Sequence, residues 1–206
     1  MAGSGIATPL DGPPARRHLN RMDSRDRLLE LLRTRSLTRG DFVLSSGARS
    51  DYYIDGRLTT MSGEGQAVLG EVGLDMLDAA GWAPAAVGGL TLGADPVAYA
   101  IAHAATLRGR RLDAFTVRKQ AKEHGAGRLV EGPVGQGQDV VVVEDVLSTG
   151  GSALRAVDAL QDFGARVLGV LVLVDREMGG REAIAERGYR LVSACTASEL
   201  LAGTSG

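Results

Sequence analysis

The sequence predicts an α/β protein built on a twisted, mostly parallel sheet flanked by helices. Three observations carry that expectation. Val140–Val143 is an unbroken run of β-branched residues without polar alternation, the pattern of a strand buried on both faces. Apolar runs at 85–90, 112–117 and 166–174 stand around it with helical stretches between them, as parallel strands joined by right-handed crossovers require. The valine run also ends at Glu144 and Asp145 followed by Ser148-Thr149-Gly150-Gly151-Ser152, which places polar groups where open parallel sheets bind ligands.

Leu28, Leu29, Leu31 and Leu32 stand among charges, so 23–35 reads as an amphipathic helix capped by Asp23 or Ser24. Asp41–Gly47 and Tyr52–Asp55 read as a hairpin preceding the strand–helix alternation, a hood set apart from the main sheet. A helix over 64–80 stops at Gly81, a C-cap residue. After the strand at 85–90, Asp95 is the expected N-cap and Pro96 the first residue of a helix running to about Leu107. The strand at Leu112–Val117 leads into Arg118–Arg128, rich in cations and glycine and without apolar periodicity, hence a loop with Leu129–Pro133 as its return arm. A helix at 153–163, a strand at 166–174, a helix at 180–187, a short strand near Tyr189–Val192 and a helical piece at 197–202 complete the chain.

A chain of 206 residues suffices for one domain with a full core. Residues 1–22, with Gly-Ser-Gly, Pro13-Pro14 and Arg16-Arg17, are expected to form a disordered extension, leaving 23–206 as the domain and about 23–60 as its hood. Net charge of −2 argues against nucleic acid as partner. No stretch approaches the roughly 20 apolar residues of a membrane span, so no membrane is expected either. One cysteine, Cys195, excludes an internal disulfide framework and suits a cytoplasmic protein; it reads as a buried hydrophobe.

The chemistry concentrates where the valine strand ends. Carboxylates repel phosphate but accept hydrogen bonds from vicinal sugar hydroxyls, whereas a glycine turn opening a helix offers free N–H groups to an anion. A ribose 5-phosphate satisfies both halves. Neither a Walker loop nor a Gly-x-Gly-x-x-Gly fingerprint is present. The segment resembles the phosphoribosyl-diphosphate motif of type I phosphoribosyltransferases, and Arg118-Lys119-x-x-Lys122-x-His124-Gly125 resembles the catalytic loop of orotate phosphoribosyltransferases. Phe42-Val43-Leu44-x-Ser46-Gly47 with Tyr52-Tyr53-Ile54-Asp55 is similar to that family's hood, and Val174-Asp175-Arg176 to its orotate-side strand end.

The resemblance implies a type I phosphoribosyltransferase fold and transfer of the ribose 5-phosphate group from 5-phosphoribosyl 1-diphosphate to orotate, with Mg²⁺, in a homodimer with shared sites. It implies catalytic roles for Lys119, Lys122 and His124, which with Arg118 contact the diphosphate substrate. Glu144 and Asp145 would hold the ribose hydroxyls, Val146, Leu147, Ser148, Thr149, Gly150, Gly151 and Ser152 the phosphate side, and Ser148 and Arg176 orotate. The cation would be carried mainly by substrate and water, with no protein ligand assigned. Two positions depart from the family pattern: Ser45 and Leu92 stand where lysines are common, and Arg49 or Arg57 is the expected substitute charge. The alternatives are a regulator of the same fold or a transferase for another nucleobase.

Overall fold

The computed structural model describes residues 21–43, 47, 49–120 and 129–202. Residues 1–20 of the extension expected over 1–22, Ser45, and Lys122 and His124 of the cationic loop lie outside the described residues, whereas residues 21 and 22 belong to the first helix.

Helix α1 (Arg21–Leu31) runs into a π-helical turn at Leu32–Ser36, and strands β1 (Leu37–Val43) and β2 (Arg49–Ile54) pair antiparallel as the expected hairpin, starting earlier than the sequence suggests. A short helix α2 (Arg57–Thr60) leads to α3 (Gly63–Ala80), whose N-cap Ser62 accepts the Gly65 N–H and whose C-cap is Gly81 in the left-handed conformation. Then follow β3 (Ala86–Leu90), α4 (Ala94–Leu107), β4 (Asp113–Val117), β5 (Val130–Glu131), β6 (Asp139–Leu147), α5 (Gly151–Phe163), β7 (Arg166–Asp175), α6 (Gly180–Glu186), β8 (Leu191–Thr196) and α7 (Ala197–Ala202).

The main sheet has strand order β5-β4-β3-β6-β7-β8, parallel except for the β4–β5 pair, with β6 central. The all-valine run is buried as its composition demands, and its period of two divides it between two cores. Val141 and Val143 pack with Leu69, Leu74, Ile101 and Leu173 on the α3–α4 face, while Val140 and Val142 pack with Val157, Leu160 and Ile184 on the α5–α6 face. Glu144 and Asp145 continue this alternation at the strand end and therefore face opposite sides of the sheet.

The structure corrects several expectations. The return arm is partly a strand: Val130 and Glu131 pair with Val117 and Thr116, closing the sheet edge. Asp95 is not the cap of α4, which begins at Ala94 after Gly93. It lies inside the first turn, where its carboxylate accepts the hydroxyl hydrogens of Thr91 (2.6 Å) and Thr116 (2.8 Å). The last strand occupies Leu191–Thr196, later than the aromatic at Tyr189 suggests. Cys195 is buried, and burial pushes its thiol up to about 12, so it packs as a hydrophobe.

Candidate active site

The C-terminal edge of the sheet meets the hood at a cavity of about 290 Å³ lined by Tyr53–Arg57, Leu90–Gly93, Lys119, Glu144–Val146, Ser152 and Arg155. Four elements build it. The hood supplies the end of β2 and the start of α2, the β3–α4 turn supplies Thr91, Leu92 and Gly93, β4 hands over Lys119, and the β6–α5 connection supplies the rest.

Asp145 faces the hood. Its Oδ1 accepts the Val146 N–H at 2.9 Å, and a β-carbon on Gly93 would lie 2.5 Å from Oδ1, one on Gly56 2.9 Å from Oδ2. Two glycines thus bring backbone against both edges of this carboxylate. Gly93→Ala, whose backbone conformation alanine accepts, is expected to turn the carboxylate aside and raise the KM for phosphoribosyl diphosphate about tenfold. Steady-state kinetics beside a melting curve checks this; an unaltered KM would show that the contact does not set the carboxylate's position.

Glu144 faces α5. It is 8% exposed, and its Oε2 has no hydrogen-bond partner among the described residues. Burial pushes its carboxyl up to about 8, with Asp145 adding to the rise and Arg155 and Lys119 opposing it. Burial likewise raises Asp145, against the Val146 N–H and Arg57. The cavity floor therefore carries less negative charge than two ordinary carboxylates, and the buried Oε2 is an acceptor awaiting a donor such as a hydroxyl.

Gly150, at φ 83°, makes the sharp turn from β6 into α5, and no side chain caps the helix. Its first N–H groups are therefore free for an anion, and the positive end of the helix dipole points at the same place. Of the predicted phosphate turn, Val146 and Ser152 line the cavity, while Ser148, Thr149, Gly150 and Gly151 adjoin it through the helix start. Leu147 does not participate by side chain: it packs into the α5–α6 core, because the two-residue alternation slips by one at the strand end, where Val146 instead joins the α3–α4 side.

The cations divide in a similar way. Lys119 lines the cavity, but Arg118 does not. Its Nη1 lies 3.4 Å from Glu131 of β5, in a neighbouring cavity of about 890 Å³ shared through Thr91 and Lys119. Arg118 is instead paired with the carboxylate that β5 places beside it. Of the two substitutes for the missing lysines, Arg57 reaches the cavity with its guanidinium paired to Asp55 (2.8 and 3.0 Å), whereas Arg49 stays on the hairpin. Leu92 lines the cavity half-exposed.

Arg176 follows β7 on the neighbouring strand end. It is buried, its backbone N–H donates to Leu147 O, its guanidinium lies 5.2 Å from the Tyr52 ring centroid, and its Nε has no partner among the described residues. No ion pair with its sequence neighbours forms: Asp175 pairs with Arg181, and Glu177 accepts from Ser198. Ser148 and Arg176 thus flank the cavity without lining it. Sequence reasoning missed Arg155 and Gly56; for Gly56 the only signal is its place just before the start of α2.

The fold and this constellation define an α/β enzyme that handles a phosphorylated sugar. Residues 74–191 match the model of the phosphoribosyl transferase domain. The chain is 51% identical over 162 residues to orotate phosphoribosyltransferase of Streptomyces avermitilis, covering 79% of this chain and 88% of the relative. It superposes on the crystal structure of Mycobacterium tuberculosis H37Rv orotate phosphoribosyltransferase in complex with Fe(III) dicitrate, with a TM-score of 0.77, 48% identity and coverage of 86% and 98% of the two chains. A crystal structure of the same mycobacterial enzyme in complex with 5-phospho-α-D-ribosyl 1-diphosphate matches with a TM-score of 0.73, 45% identity and the same coverage. The chain belongs to the orotate phosphoribosyltransferases.

Proposed function

We propose that this protein transfers the ribose 5-phosphate group of 5-phosphoribosyl 1-diphosphate to orotate, giving orotidine 5′-monophosphate and diphosphate in pyrimidine nucleotide synthesis. The observation that carries this reading is one cavity uniting an unpartnered buried Glu144 oxygen, Asp145, an uncapped helix start and Lys119. In the transfer, the C1–oxygen bond to diphosphate breaks with its electron pair leaving on diphosphate, and the bond from orotate N1 to C1 forms as the N1 proton is released to water. Charge rises on the leaving group, and Lys119, with Lys122 and His124, supplies the cations that stabilise it. The carboxylates hold the diol, and the first turn of α5 holds the 5-phosphate. The unsatisfied Nε of Arg176 suits the planar carboxylate or imide edge of orotate.

Mg²⁺ is part of the same proposal. Among the described residues no three His, Cys, Asp or Glu side chains gather into a metal cage. The oxygens of Asp145 and Asp55 are hard donors at the cavity, so a cation held mainly by substrate oxygens and water fits there. A homodimer is also proposed, supported by the half-exposed apolar side chains Leu58, Met61, Leu92 and Tyr99 around the hood and the β3–α4 region. Purified protein mixed with Mg²⁺, phosphoribosyl diphosphate and orotate is expected to consume orotate absorbance. Turnover of another nucleobase with orotate untouched would overturn the assignment.

A further inference from the structure

Arg155 is a cation that pairs with no acidic side chain among the described residues. It is the fifth residue of α5, and helical side chains lean toward the N-terminus, so its guanidinium lies over the first turn, with Nη2 3.5 Å from Ser152 Oγ. That hydroxyl is its sole hydrogen-bond partner among the described residues. Asp158, three positions on and the ordinary helical partner, is taken by Arg187. The first turn of α5 holds no acid, and the positive end of the helix dipole disfavours a cation there. Glu144 is close enough for Arg155 to lower its pKa, yet makes no ion pair with it. An exposed arginine, free N–H groups and an orphaned buried carboxyl oxygen therefore converge on one end of the cavity.

We infer that Arg155 is a substrate-positioning residue that clamps the 5-phosphate of the phosphoribosyl group against the start of α5. This rests on the function proposed above and adds a named residue to it. A dianionic phosphomonoester resolves each oddity: it accepts from the guanidinium fork and the free N–H groups together, and it sits favourably at the helix dipole. The same phosphate is present on substrate and product. Its loss of grip should therefore weaken both bound states alike, changing KM and leaving kcat nearly intact.

The test uses ribose 5-phosphate and inorganic diphosphate as separate competitive inhibitors of the whole protein. For Arg155→Gln the inhibition constant of ribose 5-phosphate and the KM for phosphoribosyl diphosphate are expected to rise together about tenfold or more. The constant for diphosphate and the kcat should stay within about threefold, and Arg155→Lys should recover part of the loss, since lysine keeps the charge but not the fork. An unchanged ribose 5-phosphate constant overturns the inference, as does a weakened diphosphate constant with collapsed kcat, which would place Arg155 at the leaving group. If the parent protein fails to turn over orotate, calorimetric titration of both forms with ribose 5-phosphate still decides the role of Arg155.

Discussion

Lys119→Ala should lower kcat about 10²–10³-fold, corresponding to roughly 3–4 kcal/mol of lost transition-state stabilisation, while the melting temperature barely moves. The expectation follows from position. Lys119 is the one lysine among the described lining residues, it is exposed, and it stands where the β4 end faces the β3–α4 turn and the two acids. With Leu92 carrying no charge on that turn and Arg57 already paired to Asp55, little else described there can meet a growing diphosphate charge. Lys122→Ala is expected to act in the same direction. Single-turnover kinetics should show the loss in the chemical step; a change confined to KM would assign Lys119 to ground-state binding.

Glu144→Gln should make the ligand-free protein more stable at pH 8 while impairing its activity. In the unfolded chain the carboxyl ionises near 4.5, but burial holds its proton in the folded protein to about 8. Below the lower value both states are protonated and the contribution is complete. Between the two the unfolded chain releases a proton that the folded one retains, so stability falls as pH rises and levels off above about 8. The integrated loss is on the order of 3–5 kcal/mol. Glutamine removes the slope, and at about 2–4 °C per kcal/mol the difference is easily read in melting curves at pH 5 and 8. It also replaces a carboxyl oxygen acceptor at the ribose hydroxyls by an amide NH₂ donor, so KM for phosphoribosyl diphosphate should rise about tenfold or more. Parallel pH–stability curves for parent and variant would sink this account of Glu144.

The central strand and its ligand edge were readable in the sequence because four consecutive valines leave no solvent face, and because acids followed by a glycine turn have few other uses. The hairpin and helices α3, α4 and α5 were readable for similar local reasons, with Gly81 and Gly150 as punctuation. What escaped depends on partners distant in sequence. The β5 edge strand is two residues long and is defined by pairing with β4, not by its own composition. Asp95 before Pro96 fits a cap equally well, and the hydroxyls of Thr91 and Thr116 that claim it are invisible without the sheet. Arg118 and Lys119 look equivalent as text, but Glu131 holds one and the cavity receives the other. Arg155 reads as a solvated helix face until Asp158 is seen to be occupied. The rise in the Glu144 pKa also needs three dimensions, since it comes first from burial.

The opposed directions of Glu144 and Asp145 set how this enzyme can diversify. The two proposed grips on the sugar divide between the α5 layer and the hood layer, and these layers have separate cores. Remodelling the hairpin and α2 to admit another nucleobase leaves the phosphate end untouched. Shifts in acceptor preference that run through the hairpin and α2 can thus leave most of the sugar-phosphate machinery in place, with Ser148 the residue that the two functions share.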